Sequence, residues 1–233
     1  MQSKIYILAV ALVGLIFVSV FFVTDSSNDK NLVNAEPAFN SSQAYLLPVS
    51  EPSYFPIYDS KTEKPIIDAK AGLAYDTRSG RFLFSKNARI KLPIASLTKI
   101  LSSIIVFENL EMQKTVVVPQ EVLRVDDEKQ SLYLNEEITV ENLLKLMLIE
   151  SSNDAAYALA WYANSKEINF VDKMNEKARL LNMSDSLFLD PAGLNDDAFS
   201  TPEDLIKLVK YSLKYDLIWN ILTEKSIVVK SVD

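Results

Sequence analysis

The residues best suited to covalent chemistry in this sequence are a serine and a lysine, Ser96 and Lys99, in the segment PIASLTKI. They open an apolar-periodic stretch over 96–110 that predicts a buried helix, so the two side chains fall on one helix face. A serine hydroxyl needs a base to become a nucleophile, and a desolvated, neutral lysine amine can serve as that base. The plainer interpretation is a capping serine beside a solvated lysine, and this short pattern alone leaves both open.

A second candidate pair, Ser151 and Asn153, lies between predicted helices over 139–149 and 153–163. A hydroxyl and an amide that project from such a turn can face a cleft together. The hydroxyl would then relay a proton, and the amide would hold a substrate carbonyl. Ser and Asn are equally good helix N-caps, so the spacing alone favours no active site here.

Composition narrows the chemistry that these pairs can perform. The 233 residues include no His and no Cys, which excludes a Ser-His-Asp triad, a thiol nucleophile and disulfides. The net charge of −7 argues against general nucleic-acid binding, and only four glycines argue against Gly-rich phosphate loops. Any nucleophilic enzyme of this composition must take its base from a residue other than histidine, and Lys99 is placed to supply it.

The elements that position these residues form a mainly helical domain with a β-hairpin at its front. Strands over 71–76 and 81–85 flank a turn at 77–80. The pattern also predicts a short strand over 115–118 and helices over 139–149, 153–163, 168–181 and 201–215, the last with Pro202 in its first turn.

The sequence around both pairs resembles the D-alanyl-D-alanine carboxypeptidases, the low-molecular-weight penicillin-binding proteins of serine peptidase family S11. The resemblance runs from about Ala71 to about Glu224 through PIASLTKI, EEITVENLLKLMLIESSNDAAYALA, FVDKMNEKARLLNM and FLDPAGLNDDAFSTPEDL. It implies an α/β (α+β) fold of the β-lactamase and DD-peptidase type, with an antiparallel sheet flanked by helices and a mainly helical subdomain.

The resemblance also implies a role for each candidate residue. Ser96 would be the acyl-ester nucleophile and Lys99 its general base. Ser151 would pass a proton to the leaving D-alanine, and Asn153 would position the substrate amide. The backbone N–H of Ser96 would be one oxyanion-hole donor, and the segment Asp190–Leu194 would be structural.

The implied substrate is the D-Ala-D-Ala terminus of peptidoglycan stem peptides. The same resemblance implies β-lactam antibiotics as covalent inhibitors. It implies no metal, no cofactor and no nucleic-acid partner.

Two departures from the family pattern stand out. Ser152 occupies a position that usually holds Gly, and the Lys-Thr-Gly motif does not occur. We therefore expect the sequence to be a fragment that stops before that motif and before the later strands of the sheet. If the chain ends at Asp233, we expect weak or no activity.

Three alternatives to the carboxypeptidase remain open. A DD-endopeptidase would carry the same catalytic motifs. A class A β-lactamase is disfavoured because its E-x-x-L-N segment is absent from the sequence. A non-catalytic, membrane-anchored wall-binding protein is the alternative that the missing third motif favours.

The amino-terminal residues predict a membrane anchor. Ile5–Val23 is an almost unbroken apolar run, preceded by Lys4 and followed by Asp25 and Asp29, which predicts a helix with its amino end in the cytoplasm. A signal peptide cleaved near Ala35 is the alternative, and either implies export.

The predicted organisation is a signal anchor over 1–23, an extracytoplasmic tether over 24–65 and an incomplete peptidase domain over 66–233. The predicted location is the bacterial cell membrane.

Overall fold

The computed structural model describes residues 56–57, 59–125 and 130–232. The predicted anchor over 1–23 and most of the predicted tether lie outside these residues. Within the described part of the chain, no helix is both long enough and apolar enough to cross a bilayer.

The first element is the predicted β-hairpin. Strands β1 (Gly72–Asp76) and β2 (Arg81–Lys86) pair in antiparallel register. The turn between them forms because the Asp76 carboxylate accepts the backbone N–H groups of the following residues and Gly80 adopts a φ of 73°. Among the described residues the hairpin is a sheet of two strands.

A second antiparallel pair joins β3 (Thr115–Val117) to β4 (Glu137–Thr139). The sequence predicts β3 but not β4. Strand β4 leads directly into a helix, and the Thr139 hydroxyl accepts the Asn142 backbone N–H as the N-cap of that helix.

The rest of the described chain is mainly helical. The helices are α1 (Thr98–Asn109), α2 (Val140–Ile149), α3 (Asn153–Asn164), α4 (Phe170–Leu180), α5 (Pro202–Ser212) and α6 (Asp216–Thr223). The predicted helix over 201–215 ends early at Ser212, and α6 was not predicted. The predicted helix over 96–110 begins with a 3₁₀ turn, Ala95–Leu97, before α1 proper.

Helix α1 lies at the centre of this arrangement and contacts α2, α3, α4 and α5. Leu101, Ile104, Ile105 and Val106 are at most 1% exposed, and these four positions lie on several sides of α1, so most of the helix surface is buried. Each such side chain contributes about 1.5–3 kcal/mol when fully buried. The helix that carries Lys99 is therefore held firmly in the core.

The carboxyl-terminal end of α1 is fixed by a polar cluster around Glu108. Its carboxylate lies 2.7 Å from Lys177 Nζ and accepts hydrogen bonds from the hydroxyls of Tyr211 and Tyr215. Partial burial opposes ionisation of Glu108. The bonds from the lysine and both tyrosines outweigh that effect and hold the pKa of the Glu108 carboxyl below its usual range. These contacts tie α1 to α4 and to the segment from α5 to α6.

Candidate active site

The structure brings the four sequence-predicted site residues into one hydrogen-bonded cluster. Lys99 Nζ lies 3.1 Å from Ser96 Oγ and 3.3 Å from Ser151 Oγ, and it donates to Asn153 Oδ1 at 2.7 Å. The Ser151 hydroxyl donates to Ser96 Oγ at 3.0 Å. Two hydroxyls and one amide oxygen therefore surround a single amine.

Lys99 is buried within α1, with 3% of its surface exposed. Burial disfavours the charged ammonium and favours the neutral amine that a general base requires. A neutral amine can donate to the Asn153 carbonyl and still accept the proton of Ser96, because it keeps one lone pair. The distances to both groups fit that exchange.

Ser96 is presented by the 3₁₀ turn that precedes α1. The N-cap position of α1 is Leu97, and no side chain caps it, so Ser96 is not a capping serine in this structure. Ala95, just before Ser96, has a φ of 44°, a left-handed conformation that L-residues other than Asn and Asp rarely adopt. Ser96 also lies at the amino-terminal end of α1, where the helix dipole stabilises developing negative charge.

Ser151 is presented by the turn between α2 and α3, and it too is left-handed, with a φ of 57°. The capping role falls to its neighbour, because Ser152 Oγ accepts the Ala155 backbone N–H at 3.1 Å. The Ser151 hydroxyl and the Asn153 amide are thus directed to Lys99 rather than to the helix end.

Sequence reasoning missed Asp154, which supports this second turn. Its carboxylate is 2% exposed and accepts the backbone N–H groups of Ser131 and Leu132 at 2.7 and 2.8 Å. It also accepts a hydrogen bond from the Ser152 hydroxyl. The sequence feature that could have indicated this role is the position of Asp154, an acid in the first turn of a predicted helix and directly after the Ser-x-Asn pair.

The segment Asp190–Leu194, predicted to be structural, lies against α1. The Ser102 hydroxyl donates to the Pro191 carbonyl at 2.7 Å and fastens the segment to the helix. Burial and, secondarily, the negative charge of Asp190 raise the pKa of Tyr157 to about 12.

A metal site would need several donor side chains close together. Among the residues that the structure describes, no group of three or more Asp, Glu, His or Cys side chains could hold a metal ion.

The sequence profile of the D-alanyl-D-alanine carboxypeptidase family matches residues 59–232. The carboxypeptidase DacF of Bacillus subtilis is 32% identical over 174 residues, covering 72% of this chain and 45% of the relative. A D-alanyl-D-alanine endopeptidase of Haemophilus influenzae is 36% identical over 147 residues, covering 62% of this chain and 50% of the relative. The chain thus spans about half the length of these curated relatives.

Solved structures agree with the sequence comparison. A mutant of a Streptomyces DD-transpeptidase superposes with a TM-score of 0.67 at 29% identity, covering 72% of this chain and 70% of the other. The D-alanyl-D-alanine carboxypeptidase DacD of Francisella tularensis gives a TM-score of 0.63 at 26% identity, covering 77% of this chain and 48% of the other. The chain has the DD-peptidase type of α/β fold and belongs to the D-alanyl-D-alanine carboxypeptidase family, serine peptidase family S11.

Proposed function

We propose that this protein is a serine-type D-Ala-D-Ala carboxypeptidase that removes the terminal D-alanine from peptidoglycan stem peptides. The observation that carries the proposal is the cluster in which Ser96, Ser151 and Asn153 all contact Lys99. In a chain without histidine, this cluster supplies a nucleophile, a base and a proton relay within hydrogen-bond distance of one another.

The reaction would run through an acyl-enzyme. Lys99 takes the proton of Ser96, and Ser96 Oγ attacks the carbonyl carbon of the penultimate D-alanine. The tetrahedral intermediate collapses when the peptide C–N bond breaks and the leaving amine receives a proton through Ser151. Water then hydrolyses the ester, and Ser96 recovers its hydrogen. Asn153 would hold the substrate amide during both steps, and the Ser96 backbone N–H would stabilise the oxyanion.

Covalent labelling with a fluorescent penicillin tests the acylation step. We expect the full-length protein to form a stable adduct, and Ser96→Ala to form none while keeping the wild-type unfolding midpoint. Ser103→Ala is the matched control, because Ser103 lies on the same helix and its hydroxyl donates to the Ile100 carbonyl at 2.7 Å. A folded wild-type protein that takes no label would favour the non-catalytic wall-binding alternative.

An endopeptidase is a second candidate, because the relatives of this chain carry both names. A carboxypeptidase and an endopeptidase would use the same nucleophile and base, so labelling does not separate them. Incubation with purified stem pentapeptides and with cross-linked dimers does. Free D-alanine supports the carboxypeptidase, and conversion of dimers to monomers without free D-alanine supports the endopeptidase.

We also propose that the protein acts outside the cytoplasm, anchored by the apolar run over 5–23. A peptidoglycan substrate is found there, and the charges that flank the run favour an amino end inside. Alkaline extraction of membranes, followed by protease treatment of intact spheroplasts, tests this location. A protein that stays protected from protease, or leaves the membrane at high pH, would contradict it.

A further inference from the structure

We propose that Gly193 and Asp190 are positioning residues for the nucleophile, which they serve by fixing the Ala95–Ser96 peptide group. This inference rests on the proposed acylation of Ser96. Gly193 and Asp190 lie outside the hydrogen bonds that join Ser96, Lys99 and Ser151 to one another. Their effect would pass through the backbone.

Asp190 shapes the loop from within. Its carboxylate is buried, and Oδ1 accepts the backbone N–H groups of Ala192, Gly193 and Leu194 at 2.7, 2.6 and 3.1 Å. Oδ2 accepts the N–H of Asn195 at 2.8 Å. Bonds to an ionised acceptor are stronger than bonds between neutral groups, so one carboxylate sets the curvature of the whole loop.

Gly193 is the residue of this loop that contacts the 3₁₀ turn Ala95–Leu97, the nucleophile turn, which presents Ser96. A Cβ placed on Gly193 would lie 1.9 Å from the Ala95 carbonyl oxygen and 2.5 Å from the Ala95 carbonyl carbon. No real side chain fits at such distances, so the glycine backbone is packed directly on that peptide group. Gly193 also has a φ of 81°, which favours glycine independently of the contact.

The Ala95–Ser96 peptide group, which Gly193 contacts, needs support from residues outside its own turn. Ala95 has a φ of 44°, and an alanine in that region tends to relax toward negative φ. Relaxation would turn the Ala95–Ser96 peptide plane. Because a peptide group is planar, a carbonyl end held by Gly193 also fixes the direction of the Ser96 N–H at its other end. That N–H is the oxyanion donor expected from the family resemblance.

The loop is itself anchored, so it can resist such a movement. The Ser102 hydroxyl ties the Pro191 carbonyl to α1 at 2.7 Å. The contact therefore joins two parts of one rigid unit, α1 and the loop, with the strained residue between them. A small displacement of a reacting group is enough to reduce catalysis about 100-fold.

The test compares two Gly→Ala variants of the full-length protein. Gly193→Ala adds a methyl group against Ala95. Gly80→Ala makes the same change at a φ of 73° in the hairpin turn, where a Cβ would meet only the Tyr75 hydroxyl at 3.6 Å. Stopped-flow acylation by a fluorescent penicillin gives the acylation rate constant and the dissociation constant separately, and thermal unfolding gives the midpoint.

We expect both variants to unfold at a lower temperature than the wild type. Only Gly193→Ala should acylate about 100-fold more slowly, with its dissociation constant within about 2-fold of wild type. An acylation rate of wild-type size in Gly193→Ala would overturn the proposal. So would an equal loss of rate in Gly80→Ala, because the effect would then follow stability alone.

A second pair decides the question if Gly193→Ala does not fold. Asp190→Asn places an NH₂ group against one of the N–H donors that the carboxylate accepted, so the loop must shift. We expect acylation to slow about 10-fold, while Asp196→Asn, an exposed carboxyl of the same loop, acylates as wild type. Equal rates in this pair would overturn the proposal. A wild-type protein that takes no label would instead remove the proposed function, and the positioning role with it.

Discussion

The two turns that present hydroxyls to Lys99 use the same backbone device and support it differently. Each contains one left-handed residue, which is Ala95 before the proposed nucleophile Ser96 in the first turn and Ser151 itself in the second. The Ser151 turn is held mainly from within, by the Ser152 cap on α3 and by Asp154 in the first turn of that helix. The nucleophile turn has no side-chain cap, and the loop around Gly193 packs on it from about a hundred residues further along the chain.

This difference shows that the conformation of one turn can be specified by adjacent residues, whereas the conformation of the other requires the whole fold. A capped turn is encoded by a few adjacent residues and survives changes elsewhere. A turn held by a distant loop is only as accurate as the packing of that loop. The nucleophile turn should therefore respond to substitutions far away in sequence, and the Ser151 turn to substitutions close by.

The largest expected effect concerns Lys99, where the two turns meet. Arginine does not deprotonate in proteins, so Lys99→Arg keeps a long nitrogen-bearing side chain but removes the proposed general base. We expect penicillin acylation to slow about 1,000-fold, within the range for loss of general base catalysis. Stopped-flow labelling measures the rate.

Lys114→Arg is the matched control for that variant. Lys114 is an exposed lysine whose ammonium lies 3.6 Å from the Glu111 carboxylate, so we expect Lys114→Arg to acylate as wild type. Wild-type acylation by Lys99→Arg would remove Lys99 from the role of base and leave its contacts with the two turns a structural role only.

The predictable part of the site is the part that local geometry encodes. Ser96 and Lys99 share a helix face because of their spacing, and Ser151 and Asn153 flank a turn because two helical patterns meet there. Ser96 and Ser151 are 55 residues apart, and the expectation that they meet rested on the family resemblance and not on periodicity.

The missed elements lack strong local signals. Strand β4 has three residues and runs directly into α2, so its last residue, Thr139, belongs to the predicted helix over 139–149. Helix α6 begins at Asp216, and its N-cap residue, Tyr215, provides no side-chain cap, so its start lacks the Ser, Thr, Asp or Asn cap that marks a helix in sequence. The supporting roles of Asp154 and Asp190 depend on backbone N–H groups brought to them by folding, and no composition or spacing reveals such donors.

A smaller effect is expected at Asp154, the support of the Ser151 turn. Asp154→Ala leaves the backbone N–H groups of Ser131 and Leu132 without their acceptor, in a place where Leu132 is fully buried. Each unsatisfied buried donor costs about 1–3 kcal/mol. We expect the free energy of unfolding in urea to fall by about 3 kcal/mol.

Asp172→Ala is the control for this prediction, because Asp172 is also an acid in the first turn of a helix, α4, but its side chain is exposed. It should lose only its interaction with the helix dipole, about 0.3–1 kcal/mol. Equal losses in the two variants would mean that Asp154 stabilises α3 as any first-turn acid does, and that the Ser151 turn is not held through it.

The smallest effect separates the cap of the Ser151 turn from its chemistry. Ser152 stands where the family usually has Gly, and its hydroxyl caps α3 by accepting the Ala155 N–H. Ser152→Ala should lower the free energy of unfolding by about 1 kcal/mol, and Ser152→Gly by only a few tenths, because glycine is itself a good N-cap. Both variants should acylate within about 3-fold of wild type, because losing a helix cap affects the rate far less than displacing the proposed base would.

If Ser152→Gly proves as costly as Ser152→Ala, the contact between the Ser152 hydroxyl and Asp154, rather than the cap, is what holds the turn. The Ser151 turn would then be supported through Asp154 alone, and the distinction between local and distant support would reduce to the positions of Asp154 and Asp190 in the chain.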